Sequence, residues 1–381
     1  MAEASSDPAL RRATKRAVIY LLIVGAALLF AMPFVWLVAS SLKPIEQAMS
    51  LPPSFVPRAH YASIDGVRLE ITRDYLVSGP GFVADVVAGE QLGRRVFVNA
   101  EEAAKRGTEL RIVHATQPGW WHVSERMEAT DKRVPRWDIV EAGVIETKIR
   151  PRWENYPAAL NRLGGTDRVS FWRFLGNTLL VCVLGVVGTV FSNAIVAYGF
   201  ARLKWKGRDA FFALTLATMM VPFPVLMVPL YGVFRSLGLI GSLVPLWLPA
   251  FFGSAFNIFL MRQFFRSIPE ELSEAARIDG CSEWRIFWRI ILPLSKPVLI
   301  TAGVFHFLYA WNDFLGPLLY LTRTEDYTLA IALQSFQSQA GGVQWHYLMA
   351  ASTVIILPVI VLFFFAQKTF VQGIATTGSK G

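Results

Sequence analysis

The sequence predicts an all-α membrane protein of six transmembrane helices, with an external β-rich domain inserted between the first and second. Three observations carry this. Hydrophobic residues make up 54% of the 381-residue chain and charged residues only 17%. The charges are not spread evenly: they bracket long runs that carry none. The exception is a polar stretch of roughly residues 43–170, where short β-like runs alternate with turns. A helix needs about 20 apolar residues to cross the hydrocarbon layer. Segments near 17–41, 174–200, 210–233, 238–261, 297–321 and 348–367 meet that requirement.

The first segment follows Arg11, Arg12, Lys15 and Arg16, as a secretory signal would. Its charge-free run, Ala17 to Leu42, is well beyond the roughly 7–15 residue core of a signal peptide, so a retained span is expected. Orientation follows from the short connections. Arg202, Lys204, Lys206 and Arg208 crowd the one between spans two and three. Arg262, Arg266, Arg277, Arg285, Arg289 and Lys296 lie between spans four and five, whereas the alternate connections hold Arg235 and Arg323. Basic residues stay on the cytoplasmic side, which places both termini and the segment 267–297 in the cytoplasm. The net charge of +9 therefore reflects membrane topology, and no nucleic-acid partner is expected.

The polar stretch after span one opens on Pro52, Pro53 and Pro57, an extended linker. Residues 67–71, 95–98, 109–114 and 121–123 read as strands, 101–106 as a short helix, and 137–150 as further strands. From Trp153 the pattern returns to helix. The chain thus divides into 1–57, holding the N-terminus, first span and linker; 58–151, the β-rich insertion; and 152–381, a five-helix core with a cytoplasmic loop at 267–297 and a C-terminal tail.

Within the loop, Ser267 and Glu270 have the spacing of a capping box, with Pro269 in the first turn. Gly280 suits the left-handed residue that stops this first helix. Ser282 is placed to cap a second helix and Pro293 to end it. On that second helix Trp284, Phe287, Trp288 and Ile291 fall on one stripe, the pattern of a helix lying on a membrane surface or a partner.

No catalytic constellation appears. The five histidines are scattered, the two cysteines, Cys182 and Cys281, have no metal-site spacing, and Gly373 to Lys380 departs from the phosphate-loop order. Neither metal nor cofactor is expected, and the chain is not read as an enzyme. Polar or kinking residues inside the spans are the candidates for a translocation path. Asn312 and Asp313 lie in the fifth, where a buried charge costs about 2.5–3.5 kcal/mol unless it faces a cavity or a partner. Pro222 lies in the third, where proline breaks the helical ladder. Gly185, Gly188 and Ser192 in the second are read as sites of close helix packing.

Glu274-Ala275-Ala276, then Gly280, Ile290, Leu292 and Pro293, resembles the EAA motif of permease subunits in binding-protein-dependent ABC importers in both identity and spacing. Ala276-Arg277-Ile278-Asp279-Gly280, Trp311-Asn312-Asp313-Phe314 and Gln367 to Gly373 are similar to the carbohydrate-importing branch, in particular the maltose-type second permease. The resemblance covers about 10–57 and 152–381. It implies the ABC-importer permease fold and a bacterial or archaeal inner-membrane location. The implied partners are a cytoplasmic ATPase dimer that itself binds ATP, a homologous second permease, an external solute-binding protein, membrane lipid and a small carbohydrate. In that family the EAA loop docks on the ATPase, so Glu274, Ala275, Ala276 and Gly280 become the coupling residues. The tail 371–381 would reach the same interface. Relatives pass directly from the linker to the segment at Glu154, which marks 58–151 as an insertion near the binding protein. Three other readings are weighed: an ion-gradient-driven secondary transporter, which predicts paired intramembrane carboxylates and inverted repeats, a membrane-anchored sensor with 58–151 as its receptor domain, which predicts a cytoplasmic signalling domain, and a permease for a non-sugar solute.

Overall fold

The computed structural model describes residues 8–48, 54–64, 66–76, 81–88, 95–115, 120–125, 137–165, 169–337 and 343–378. Two compact units divide at Asn155 and Tyr156.

The first unit begins with α1 (Pro8–Ser41), whose apolar part, Lys15–Ser41, is long enough to span a membrane. Among the described residues eight strands follow: β1 (Arg58–Ile64), β2 (Val67–Leu76), β3 (Gly81–Val86), β4 (Arg95–Asn99), β5 (Leu110–Ala115), β6 (Trp120–Glu125), β7 (Trp137–Glu141) and β8 (Glu146–Ile149). They form a five-stranded sheet, β7-β6-β2-β1-β8, and a three-stranded sheet, β4-β3-β5, with antiparallel pairing throughout. A short helix, α2 (Ala100–Arg106), is capped by Asn99, whose side chain accepts the Glu102 N–H at 2.7 Å. The expected strands and helix are present. β1 and β3 are additional, since their sequences mix polar and small residues and carry little alternation. Ala62, Ile64, Ile71 and Val123 form a small buried core in the larger sheet.

The chain enters and leaves this β region at one place. Asn155 Nδ2 donates to the carbonyls of Ser41 and Lys43 at 2.7 and 2.9 Å. The Arg152 N–H donates to the Leu42 carbonyl at 2.9 Å, and the Arg150 N–H to Pro57 at 3.1 Å. Glu70 on β2 pairs with both Arg150 and Arg152. The strands are therefore an excursion whose two ends are fastened together.

In the second unit α3 (Asn155–Arg162) leads to α4 (Phe171–Ala201). Next come α5 (Arg208–Ala217), α6 (Phe223–Ser236), α7 (Val244–Trp247) and α8 (Ala255–Ser267). The loop helices are α9 (Glu271–Ile278) and α10 (Glu283–Leu294). The unit closes with α11 (Lys296–Asn312), α12 (Leu315–Tyr320) and α13 (Trp345–Gly378). Among the described residues four helical stretches are long and apolar enough to span, Lys15–Ser41, Phe171–Ala201, Val244–Ser267 and Trp345–Gln367; two bent pairs raise the number to six if each is one span.

Three span expectations need correction. The third is not a kinked continuous helix: Arg208–Met220 and Phe223–Ser236 meet at 99°. Val221 and Pro222 are extended there, and Pro224 enters the next helix at its first turn, where no N–H is needed. The fourth starts later than 238, because Gly238 and Gly241, at φ +70° and +85°, hold a turn and the Gly241 N–H donates to the Tyr320 carbonyl at 2.8 Å. The fifth ends at Asn312, not near 321. Asp313 is extended, and its Oδ1 accepts the Gly316 N–H at 3.0 Å, starting α12.

α4 is the centre of this unit, and the expected close approach along it is present. A Cβ at Gly185 would strike the His306 ring on α11, and one at Gly188 would lie 2.6 Å from the Phe251 ring. Thr189 Oγ1 lies 2.9 Å from His306 Nδ1. Ser192 Oγ donates to the Ala250 carbonyl at 2.9 Å, and Asn193 Oδ1 accepts the Ser254 N–H at 2.7 Å. Two buried clusters sit at opposite ends of α4. One gathers Phe174, Val181, Trp311, Phe336 and Tyr347; the other gathers Ala194, Tyr198, Phe265, Ala276, Phe287 and Ile291.

In the β region His60 Nδ1 lies 2.9 Å from Thr147 Oγ1. Burial, with Arg73 and Arg58 nearby, lowers its pKa from 6.5 to about 4. The unfolded chain therefore takes up a proton before the folded one, and stability is lost as pH falls from 6.5 toward 4. Thermal unfolding across that range should show His60→Gln losing less stability than the wild type. Parallel curves would contradict the assignment.

Candidate functional site

The site is the loop from Ser267 to Pro297 with the helix ends that hold it. Its first helix does not begin with the expected capping box. Ser267 is still in the last turn of α8, its hydroxyl donating to the Phe264 carbonyl at 2.7 Å. α9 starts at Glu271 after Glu270, which makes no side-chain cap, and Pro269 precedes the helix. Glu271 and Glu274 in the first turn suit the positive end of the helix dipole.

The exit matches expectation. Gly280 has φ +77°. Its N–H donates to the Arg277 carbonyl at 3.0 Å, and the Cys281 N–H reaches back to Ala276 at 2.9 Å. That pair of bonds is a Schellman motif, and Cys281 packs against the same buried cluster as Ala276. Ser282 then caps α10 by accepting the Arg285 N–H at 3.4 Å.

Pro293 does not end the second helix. Residues Phe287–Ile291 form a π turn, in which the Leu292 N–H reaches Phe287, and the helix continues to Leu294. Proline removes a ladder donor and its ring crowds the carbonyl four residues back; the wider turn just ahead of it makes room. A 77° bend then leads into α11. The expected apolar stripe is split between core and surface. Ile286, Phe287 and Ile291 are buried, whereas Trp284 and Trp288 are 57% and 44% exposed.

Two arginines fix the loop to the spans. Arg202, just past α4, donates through Nη2 to the carbonyls of Phe265 and Ile268, both at 2.6 Å. Arg262 on α8 returns the contact, its Nε donating to the Phe200 carbonyl at 3.2 Å while its guanidinium lies over the Phe212 ring. At each helix end, backbone carbonyls thus accept from a buried arginine supplied by the other. The loop helices are tied to each other and to α4 by Glu283, which accepts from Arg277 Nε at 2.6 Å and from the Tyr198 hydroxyl at 2.5 Å. Sequence reading assigned these arginines only to topology and gave Tyr198 and Glu283 no role. A partner 60 or more residues away leaves no local signal.

α9 has two faces. Ser273 and Ala276 are buried, while Glu271, Leu272, Glu274, Ala275, Ile278 and Asp279 are exposed, Ile278 at 87%. Of the four expected coupling residues, Glu274, Ala275 and Gly280 face out, and Ala276 packs inward. A Cβ at Gly280 would meet nothing within 4 Å, so only its backbone conformation demands glycine. Asn312, Asp313 and Pro222 are apart from this loop. Asn312 is exposed and donates to the Leu308 carbonyl at 2.8 Å, Asp313 caps α12, and Pro222 marks the 99° bend. Among the described residues no group of three or more His, Cys, Asp or Glu is placed to hold a metal ion.

Several membrane-length helices and an amphipathic loop braced against α4 describe a multi-pass membrane protein. The chain belongs to the family of binding-protein-dependent transport system inner membrane components, whose family model matches residues 172–376. It is 38% identical over 250 residues to the arabinooligosaccharides transport system permease protein AraQ of Bacillus subtilis (strain 168), covering 65% of this chain and 86% of that protein. It is 36% identical over 216 residues to AraQ of Halalkalibacterium halodurans, covering 57% and 77%. A crystal structure of a bacterial ABC transporter involved in the import of the acidic polysaccharide alginate aligns with a TM-score of 0.52 at 26% identity, over 58% of this chain and 80% of that one. The protein is an inner-membrane permease of an ABC importer.

Replacing Arg202 by Leu leaves the buried Ile268 carbonyl without a donor, worth about 1–3 kcal/mol, and takes from the Phe265 carbonyl the stronger of its two donors. Thermal melting of the purified chain in detergent should show Arg202→Leu strongly destabilised. Arg202→Lys should recover only part of the loss, since an ammonium lacks the guanidinium's planar fork.

Proposed function

We propose that this permease imports a carbohydrate, most simply an oligosaccharide, and that α9 is its contact with a cytoplasmic ATPase. The observation that carries the reading is the outward face of α9. Leu272, Ala275 and Ile278 offer an apolar surface beside Glu274, on a helix whose other face is built into the permease core. Two small steps of backbone, at Ala275 and Gly280, allow close approach, and Glu274 can pair with a basic group on the partner. ATP-driven closure of an ATPase dimer would then move α9 and the spans behind it, alternating access to a path shared with a second permease. The carbohydrate assignment rests on the names of the relatives together with the motif at Trp311 to Phe314. Asn312 and Asp313, at the break between α11 and α12, are the polar groups we assign to the path, with Pro222 shaping it.

In this reading both termini and the loop are cytoplasmic, and residues 58–151 are an external insertion beside the solute-binding protein. The fastened ends of the β region support its being an insertion. Glu274→Lys should uncouple the complex: ATP-driven uptake in proteoliposomes falls at least about tenfold, the loss of roughly 1.4 kcal/mol of docking free energy, while the chain still inserts. Full uptake by this variant would remove α9 from the interface. Topology has its own test. A thiol at Val144, half-exposed in the β region, should react with a membrane-impermeant reagent in intact spheroplasts, whereas one at Ile278 should react only after permeabilisation. The reverse pattern would invert the orientation.

A further inference from the structure

Glu283 is the first residue of α10, yet its carboxylate serves three elements. One oxygen accepts from Arg277 on α9, across the Gly280 turn, and the other from Tyr198 on α4. The Tyr198 ring also lies 5.1 Å from that of Phe287. The covalent route from α9 to the spans is indirect by comparison. It turns at Gly280, where the backbone has positive φ, and again at the 77° bend ahead of α11. A load on α9 carried by the chain alone would reach α11 only through those two corners and would not reach α4.

We propose that Glu283 is a positioning residue for energy coupling: with Arg277 and Tyr198 it clamps α9 and α10 to α4, so that displacement of α9 is delivered to α4 directly as well as to α11. This rests on the reading of α9 as the ATPase contact. α4 is suited to receive the load. It is a 31-residue helix, and its far end is built into the second buried cluster with Trp311 and Tyr347. Both clamp bonds are polar contacts at the rim of an apolar cluster, so their loss leaves the packing of Phe287, Ile286 and Ala276 in place.

The test uses the assembled complex in proteoliposomes, reading solute uptake and ATP hydrolysis in the same preparation. Glu283→Gln keeps the volume of the side chain and removes its charge; Tyr198→Phe removes one oxygen. Each should lower solute moved per ATP by about fivefold or more, the low end of a typical coupling free energy, with the ATPase subunits still co-purifying. The double variant should be no worse than the weaker single one, because the residues act as a unit. A solute-to-ATP ratio within twofold of wild type in both single variants would overturn the proposal. So would a fall in uptake matched by an equal fall in ATPase subunit retention, which is a docking defect. A second readout is independent of transport: a spin label at Ile278→Cys, in a chain with Cys182 and Cys281 replaced by alanine. Its mobility should rise when Glu283→Gln or Tyr198→Phe is added, and unchanged mobility refutes the clamp. If the wild-type complex shows no ATP-driven uptake, the functional reading fails, while the label still decides whether the clamp exists.

Discussion

The satisfaction of backbone groups at the helix ends, in a protein with little water to supply partners, governs this structure. A spanning helix satisfies its own interior but leaves carbonyls free at its C-terminal end. Here α4 and α8 settle that need for each other through Arg202 and Arg262, and both arginines are buried in doing so. The loop 267–297 begins directly from that joint. The joint fixes where the loop leaves the spans, and Ala276, Ile286 and Phe287 pack into the buried cluster beside it. The same logic recurs where the helices break: Asn193 supplies the acceptor for the Ser254 N–H at the start of α8, and Asp313 does so for Gly316.

Close packing around α4 depends on what its residues lack. Gly185 and Gly188 are positions where a methyl group would meet a ring from a neighbouring element. Without a hydrophobic driving force between helices in lipid, approach of this kind is what holds a bundle together. Thr189, Ser192 and Asn193 follow the glycines along α4 and supply polar contacts to the backbone and to His306. Small and polar residues on one helix thus serve two neighbours at once.

How much of this was legible in the sequence follows from the range of each interaction. Apolar length and charge placement report one helix at a time, so the membrane-length segments were readable, and the EAA spacing identified the loop. Gly280 and Ser282 were readable because their work is done by bonds within a few residues. Ser267 and Pro293 misled for a physical reason: each competes locally with a neighbour that wins, the last turn of α8 in one case and a π turn in the other. The breaks at Pro222 and Asp313 lie in runs whose composition is predominantly apolar on both sides, so hydropathy alone joined them. Arg202, Arg262 and Tyr198 were beyond reach, because their contacts join segments 60 to 85 residues apart; Glu283 was readable only toward Arg277, six residues away, and not toward Tyr198.

The fastened neck of the β region has a consequence for how such a chain can change. Closing a flexible loop costs entropy that grows only with the logarithm of its length. Once Asn155 holds the carbonyls of Ser41 and Lys43, the chain leaves and re-enters the neck at one spacing whatever lies between. The neck works as a socket: residues added to or removed from the strands beyond it leave those bonds where they are.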